Sequence, residues 1–188
     1  GDATWEAAAG GGAWTFITRS TADDSSATLT VAGIDTTYDT YVLNATGLRS
    51  GMSSHAQMLM RVGNSGGIIA SGTDYHNHVS KTMSSLTNYD AAIINGGDHW
   101  ILTDYLSNST DARGGFTFFL HRTDKYISCN GTLALPFDYD GIEGSIGGWF
   151  HALYQPSSTF ALTQIQLYFS QTGNWVEGTF DLYGISHS

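Results

Sequence analysis

The stretch FALTQIQLYFSQTGNWVEGTFDLYGI, residues 160–185, decides the fold class, because it contains two segments in which apolar and polar side chains alternate. The apolar members of this alternation are Ile165, Leu167, Phe169, Phe180 and Leu182. A period of two places successive side chains on opposite faces of a β-strand, so each segment has one face for a core and one for solvent. With the turn-forming QTGN between them, the two segments predict a C-terminal β-hairpin.

The same alternation recurs along most of the chain. Further segments with this pattern are AWTFITR (13–19), ATLTVAGI (27–34), TYDTYVLNATGL (37–48), HAQMLMRVG (55–63) and GGFTFFLHR (114–122). Turn-forming residues separate these segments, and the spacing predicts roughly eight to ten strands. We therefore predict an all-β fold, a single β-sandwich with the topology of a jelly roll.

The chain length fits one domain. A chain of 188 residues is long enough to bury a sizeable core without disulfides. No linker of distinct composition divides the sequence, so we predict one β-sandwich domain over residues 14–188. A Gly/Ala-rich arm over residues 1–13 precedes it and carries Trp5, with Trp14 at its end. Because exposed tryptophans are unfavourable, the arm either packs on its own domain or docks on a neighbouring subunit.

The charge composition narrows the class of partner. Charged residues make up 13% of the chain, against about 25% in an average globular domain. The formal net charge is −10, and Lys and Arg together number seven without a basic cluster. Nucleic acids and anionic membrane leaflets attract clustered basic residues, so the sequence predicts neither nucleic acid nor membrane as a partner.

The sequence contains few features that indicate the cellular location of the protein. Cys129 is the single cysteine, so an internal disulfide cannot form. No apolar run approaches the ~20 residues that a membrane-spanning helix needs. The first residues lack the charged and apolar regions of a signal peptide. We therefore expect neither a transmembrane segment nor a signal peptide.

Three motifs, taken in order, carry a family resemblance. They are GIDTTYDTY (33–41), LMRVG (59–63) and GTFDLYGI (178–185). With these motifs in this order and spacing, the chain resembles small virion structural proteins of tailed bacteriophages. The matches lie near both ends and in the middle of the chain, whereas residues 84–112 and 125–160 are not covered.

The resemblance implies a non-enzymatic structural protein of the virion, which is assembled in the host cytoplasm. Its role would be that of a capsid decoration or cement protein, a head fibre or a tail-associated module. We expect capsid decoration, because a short chain lacks the shaft of a fibre. The implied partners are other copies of the chain, as a homotrimer, and other virion proteins such as the major capsid protein. No cofactor or catalytic residue is implied, and Tyr38, Asp39 and Tyr41 are expected to hold a sheet corner. The alternative function is a tail-associated or fibre receptor-binding module that recognises host surface glycans.

A third hypothesis concerns the histidines of DYHNHVS, residues 74–80. On a strand, His76 and His78 project from the same face, so both imidazoles could reach one metal ion. Such a pair on a jelly roll resembles the metal site of cupins, which add a Glu four or five residues further on. Here Thr82 and Met83 occupy those positions. A cupin-like metalloprotein is thus an open alternative, and a solvent-facing or interface strand is the favoured interpretation.

Other candidate chemistry is sparse. In FDYDGIEG, the residues Asp138, Asp140 and Glu143 offer oxygen ligands for Ca²⁺ or Mg²⁺ around a turn, although the calcium loop of an EF-hand needs more ligands. A turn rich in Asp explains the same pattern. The motif G-x-S-x-G of serine hydrolases is absent. No pair of carboxylates stands out for glycoside hydrolysis. We therefore predict that the protein is not an enzyme.

Aromatic residues supply the last group of candidates. They concentrate in DHWILTDYL (98–106) and GGWFHALYQP (147–156). Aromatic side chains are common in cores and at subunit interfaces, and sugars stack on exposed aromatic rings. For these aromatic stretches the core is the favoured location, followed by an interface and then a glycan-binding patch. The candidates for an interface or a glycan-binding patch are Trp5, Trp14, Trp100, Tyr105, Trp149, Phe150 and Tyr154.

Overall fold

A computed structural model describes residues 14–51, 56–83, 89–106, 113–123, 125–139 and 142–186. Within these ranges the chain forms thirteen β-strands and no helix, so no described helix could cross a membrane. The strands are β1 (Trp14–Thr21), β2 (Thr28–Ala32), β3 (Thr40–Ser50), β4 (Ala56–Asn64), β5 (Gly67–Ile68), β6 (Tyr75–Met83), β7 (Tyr89–Gly97), β8 (Trp100–Leu106), β9 (Gly114–Arg122), β10 (Ile127–Tyr139), β11 (Ile142–Tyr154), β12 (Gln164–Phe169) and β13 (Trp175–Ile185). The predicted arm, residues 1–13 with Trp5, lies outside the described residues.

The strands form two antiparallel sheets that face each other across one core. The large sheet has the order β1-β13-β3-β9-β10-β11-β6-β7, and the small sheet has the order β2-β12-β4-β5 with β8 also paired to β4. Four pairs are nested in the sequence, namely β1 with β13, β2 with β12, β3 with β9 and β4 with β8. When such nested antiparallel strand pairs fold into two sheets that pack face to face, the topology is a jelly roll. The all-β prediction and the predicted β-sandwich are confirmed.

The predicted C-terminal hairpin is wrong. Strand β12 pairs with β2 and β4 in the small sheet, whereas β13 pairs with β1 and β3 in the large sheet. The turn over residues 171–174 therefore carries the chain from one sheet to the other. Trp175 follows this turn, is fully buried, and packs against Phe169 at 4.1 Å between ring centroids. Alternation predicts that a segment is a strand, but it does not specify which strand pairs with it.

Four additional strands widen the large sheet beyond the jelly roll. Strands β10 and β11 lie between β9 and β12 in the chain, and β6 and β7 lie between β4 and β8. They pair in the order β10-β11-β6-β7 next to β9. The prediction of eight to ten strands was therefore too low, because these strands come mostly from the regions that the motifs did not cover. The added strands double the width of the large sheet and create most of its outward surface.

The core consists of the inward faces of both sheets. Phe118 on β9 stacks on Phe116 at 4.2 Å and on Phe150 of β11 at 4.7 Å. Trp100 of β8 contacts the edge of Phe150 at 6.3 Å, which joins the added strands to the small sheet. Met60 on β4 is also fully buried. The periodic apolar residues of the strands therefore meet in one continuous cluster.

The motif at residues 33–41 forms a corner at the start of β3. The Tyr41 hydroxyl accepts a hydrogen bond from the Asp35 N–H at 3.0 Å and donates one to the Asp35 carbonyl at 2.9 Å. The Tyr38 ring packs on Gly184, where an added Cβ would lie 2.3 Å from the ring. Tyr38 and Tyr41 also meet edge to face at 5.7 Å. The family resemblance implied that Tyr38, Asp39 and Tyr41 hold a sheet corner, and the contacts of the two tyrosines agree with that expectation.

Candidate functional site

The outward face of the large sheet gathers aromatic, amide and imidazole side chains into a continuous surface. Because neighbouring strands are in register, side chains directly opposite one another share this face. One row crosses six strands from β13 to β6, and its members are Tyr183, Val42, Phe119, Asn130, His151 and His78. A face of this composition can stack on rings and form hydrogen bonds, which a face of aliphatic residues cannot do.

An open groove of about 620 Å³ lies on this face, across the middle of β3 and β10 and the first residues of β9. Its polar lining consists of Asn44, Thr46, Arg113, Thr117 and Thr132. Glycines at positions 47, 114 and 115 leave the space free of side chains. At Gly115, an added Cβ would lie 2.2 Å from the Ala45 carbonyl oxygen, so the strand cannot accept a larger residue there. The sequence pattern GG thus shapes the groove.

Trp149 stands beside the groove. Strand pairing places it directly opposite Thr132, a lining residue, and on the same face. Trp149 is 62% exposed, the highest value among the large hydrophobic residues that the structure describes as exposed. An indole is favourably buried, and this one presents a large apolar ring to solvent next to the groove.

A hydrogen bond between two groove residues fixes the orientation of their side chains. The Thr117 hydroxyl donates a hydrogen bond to the Asn44 side-chain oxygen at 2.9 Å. The two N–H groups of the Asn44 amide make no hydrogen bond within the described residues, and they can donate to a ligand. The pair therefore presents an oriented donor at the base of the groove.

One end of the groove carries an ion-pair cluster. Arg113 donates from Nε to Glu177 Oε2 at 2.8 Å, and Arg49 donates from a terminal nitrogen to Oε1 at 2.7 Å. The hydrogen bonds from Arg113 and then Arg49 lower the pKa of the Glu177 carboxyl. Glu177 therefore stays ionised, and the cluster combines two positive charges with one negative charge.

A second exposed group, the β1 patch, lies at the edge of the same face. It consists of Trp14 and Phe16 on β1 with Tyr183 and Phe119, which together cover the fully buried Val42. The Trp14 ring lies 5.8 Å from Tyr183 and 6.2 Å from Phe119. Trp14 remains 48% exposed and Phe16 53% exposed. The patch therefore buries one aliphatic residue and still presents two large rings to solvent.

A polar cluster on the outward face of the small sheet is held together by contacts among its own members. Arg61 donates to the Asp98 carboxylate at 2.7 Å, and its guanidinium lies 4.4 Å from the Tyr168 ring centroid. His99 Nδ1 lies 2.5 Å from the other Asp98 oxygen. Burial works to raise the pKa of Asp98, but the neighbouring His99 and Arg61 lower it overall. These contacts stabilise a loop between β7 and β8.

Several predicted patch residues are not on the surface. Trp100, Phe150 and Tyr154 are buried in the core, the location favoured for them from the sequence, so they do not belong to an interface or glycan patch. The Trp100 indole donates to the Leu153 carbonyl at 3.1 Å, which satisfies its only donor inside the protein. The side chain of Tyr105 lies outside the described residues, as does Trp5. Trp14 and Trp149 are the two predicted residues that the structure places on the surface.

The predicted metal ligands do not assemble into a site within the described part of the chain. His76 and His78 share the outward face, and His151 lies directly opposite His78. Among the described side chains, however, no group of three or more His, Cys, Asp or Glu residues could hold a metal ion. The side chains of the acidic candidates lie outside the described residues, and these are Asp138, Asp140 and Glu143.

The groove residues Asn44, Arg113, Thr117 and Thr132 were not predicted. Asn44, Thr117 and Thr132 lie on β3, β9 and β10, and Arg113 directly precedes β9. The four residues are as far as 88 positions apart in the sequence. Each is an ordinary outward-facing polar residue in its own segment. Only the pairing of β3 with β9 and of β9 with β10 brings them together. No local signal in the sequence distinguishes them.

Comparisons with known proteins identify no family. No family model matches the chain, and no curated protein matches it. Among solved structures, the chain is similar to the CBM2 module of the evolved Dit of Lactobacillus casei BL23 phage J-1. The sequence identity is 9% and the TM-score is 0.25, with 90% of this chain and 77% of that chain covered. A TM-score this low carries no weight for fold or function.

Proposed function

We propose that the protein is a non-enzymatic glycan-binding module that acts through Trp149 and the adjoining groove. The exposed indole beside a polar groove is the observation that supports this proposal. The C–H faces of a sugar ring stack on an indole, and its hydroxyls need donors and acceptors close to that ring. Asn44, Thr117 and Thr132 supply both kinds of group. A groove of about 620 Å³ also falls in the usual range of ligand sites, about 300–1,000 Å³.

The setting we propose is a bacteriophage particle, as a tail-associated or fibre module that binds glycans on the host surface. The resemblance of the three sequence motifs to phage virion proteins supports this setting. From sequence, capsid decoration ranked first. The exposure of Trp149 changes that order, because a decoration role gives no reason for an exposed indole beside an open polar groove.

A glycan array followed by isothermal titration calorimetry tests the proposal. Trp149→Ala should abolish binding to the glycans that the unchanged protein binds, because the stacking surface is lost. Trp14→Ala is a matched control, since Trp14 is also an exposed tryptophan on the same face but belongs to the β1 patch. If both variants bind as well as the unchanged protein, Trp149 has no role. If no glycan binds, the proposed function is wrong.

A second candidate function, capsid decoration by a self-associating protein, is favoured by the β1 patch. Strand β1 is an edge strand, and its only charged residue, Arg19, is paired with Asp181 at 2.6 Å. Edge strands that present exposed aromatic residues without free charges tend to associate. We propose that copies of the chain, as a homotrimer, and other virion proteins such as the major capsid protein dock here.

Native mass spectrometry tests the second candidate. The unchanged protein should be oligomeric, and the double variant Trp14→Ser, Phe16→Ser should be monomeric with an unchanged circular dichroism spectrum. Trp149→Ala is the control and should leave the oligomer intact. A monomer before substitution, or an oligomer that survives the double substitution, would rule out the β1 patch as the self-association surface.

A further inference from the structure

We infer that the groove beside Trp149 selects acidic glycans, whose sugars carry carboxylate, sulfate or phosphate groups. This inference rests on the proposed function and names the chemical class of its ligand. It follows from the excess of positive charge at the groove and from the N–H donors of Arg113 that remain free. It also follows from the contrast between this positive site and the negative net charge of the chain.

The charge at the end of the groove does not cancel. Arg113 and Arg49 both contact Glu177, so two guanidinium groups share one carboxylate. No Asp or Glu is among the residues that line the groove in the described part of the chain. The site therefore has an excess of one positive charge next to an uncharged polar surface.

The next carboxylate on this face is already neutralised. Asp181 lies directly opposite Asn44 on the neighbouring strand. It is buried, and Arg19 binds both of its oxygens at 2.6 and 2.7 Å. A bidentate pair of this kind presents little net charge to a ligand. Asp181 therefore does not offset the positive charge near the groove.

Arg113 can reach a ligand. Its side chain is 48% exposed. Its contacts with Glu177 use Nε and one terminal nitrogen, and a guanidinium has five N–H donors in total. Arg49 is more deeply placed and holds the other oxygen of Glu177. Arg49 and Glu177 thus fix one side of the Arg113 guanidinium, and the remaining donors can bind an acidic group bidentately.

The overall charge of the chain makes this site unusual. The formal net charge is −10, so the average surface repels an acidic polymer. At physiological ionic strength the Debye length is about 8 Å, which screens that repulsion but leaves a direct contact with Arg113 effective. The groove beside Trp149 therefore offers an acidic ligand a local excess of positive charge, which the average surface of the chain does not.

The test uses an array printed with matched pairs of glycans. The pairs are oligogalacturonates and their methyl esters, sulfated glycans and their desulfated forms, and phosphorylated oligosaccharides and their dephosphorylated forms. At about 0.15 M salt, the acidic member of at least one pair should bind more tightly than its neutral partner. The pair that binds identifies which acidic group is recognised.

Two variants assign the effect to Arg113. Arg113→Gln should weaken binding of the acidic member about tenfold or more, because a charge-assisted hydrogen bond is lost. Arg122→Gln makes the same change in net charge at the other end of β9, about 30 Å away along the strand, and should leave binding unchanged. Both variants should keep the circular dichroism spectrum and melting temperature of the unchanged protein.

Each outcome bears on a different claim. Equal or tighter binding of the neutral members overturns this inference and leaves the proposed glycan-binding function standing. Equal effects of Arg113→Gln and Arg122→Gln also overturn it, because the preference would then come from net charge. Failure of every glycan to bind overturns the proposed function itself.

Discussion

The hydroxyl of Tyr75 and the backbone of Val62 connect the two sheets. Tyr75 lies on β6 of the large sheet, and its oxygen accepts a hydrogen bond from the Val62 N–H on β4 of the small sheet at 3.0 Å. The same hydroxyl donates to the Ile69 carbonyl at 3.1 Å. The Tyr75 ring is fully buried between Trp100 and Tyr154. One phenol therefore satisfies polar backbone groups inside an otherwise apolar core.

Tyr75→Phe should destabilise the protein by about 1–3 kcal/mol, because the Val62 N–H would lose its acceptor in a buried position. Urea denaturation followed by tryptophan fluorescence measures the change. Tyr126→Phe is a suitable control, since Tyr126 is half-buried and outside the core cluster. Equal stability of Tyr75→Phe and the unchanged protein would show that the hydrogen bond between the sheets contributes nothing.

Stability should fall above pH 10. Burial raises the pKa of Tyr75 above the usual tyrosine value and raises the pKa of Tyr168 to about 12. Tyrosines in the unfolded chain ionise near pH 10. Above that pH the unfolded state releases protons that the folded state keeps, so the free energy of unfolding decreases. This contribution is complete below pH 10 and is lost as the pH approaches the raised values.

Absorbance at 295 nm and urea denaturation at pH 9 and pH 11 measure this effect. Some tyrosines should titrate near pH 10, and the buried ones should titrate only as the protein unfolds. Tyr75→Phe should show a smaller loss of stability between the two pH values. Titration of all tyrosines in one step near pH 10 in the folded protein would contradict the prediction.

Adjacent phenylalanines on β9 should differ sharply in their contribution to stability. Phe118 is fully buried in the aromatic stack, whereas Phe119 faces outward in the β1 patch. Phe118→Ala should cost about 3–5 kcal/mol, because it removes buried surface and leaves a cavity. Phe119→Ala should cost much less. Chemical denaturation of both variants compares them, and similar values would mean that the orientation of β9 is reversed.

Two glycines on neighbouring strands provide a test of strand spacing. At Gly131 on β10 an added Cβ would lie 2.1 Å from the Thr117 carbonyl oxygen, whereas at Gly147 on β11 no atom lies within 4 Å. Gly131→Ala should therefore destabilise by at least about 1–3 kcal/mol through overpacking. Gly147→Ala should be neutral or slightly stabilising. Melting temperatures distinguish the two variants, and equal shifts would contradict the close approach of β9 and β10.

Thr117 should act on ligand affinity through Asn44. Thr117→Val keeps the shape of the side chain and removes the hydrogen bond that orients the Asn44 amide. The loss of one neutral hydrogen bond should weaken glycan binding by about 2- to 10-fold. Calorimetry with the glycan identified on the array measures the change. Ser128→Ala, at an outward-facing position on β10 away from the groove, is the control and should leave affinity unchanged.

The alternation in the sequence was sufficient to predict which residues of a single strand share one face. In HAQMLMRVG and GGFTFFLHR, apolar residues that share one face of the predicted strand are buried, including Met58, Met60, Phe116 and Phe118. This prediction succeeds because the side-chain period of a strand depends only on local backbone geometry. The corner at Tyr38 and Tyr41, in contrast, was expected from the family resemblance of the motif GIDTTYDTY (33–41).

The candidate site was less predictable. Trp149 and Trp14 were among the candidates, but so were Trp100, Phe150 and Tyr154, which are buried. Neighbouring residues of a strand point to opposite faces, so Trp149 and Phe150 differ in exposure although they are adjacent. Whether the odd-numbered or the even-numbered residues of a strand face the core depends on which elements pack on each face of the sheet. In residues 147–156 both faces of the strand carry aromatic side chains, so the alternation does not identify the core face.

The sequence by itself determined that the protein is all-β and which positions alternate along each strand. The tertiary structure alone decided that β12 and β13 belong to different sheets, that β10, β11, β6 and β7 widen the large sheet, and which aromatic rings reach solvent. The physical reason is that side-chain alternation is a property of one strand, whereas strand pairing depends on long-range contacts between residues far apart in the sequence.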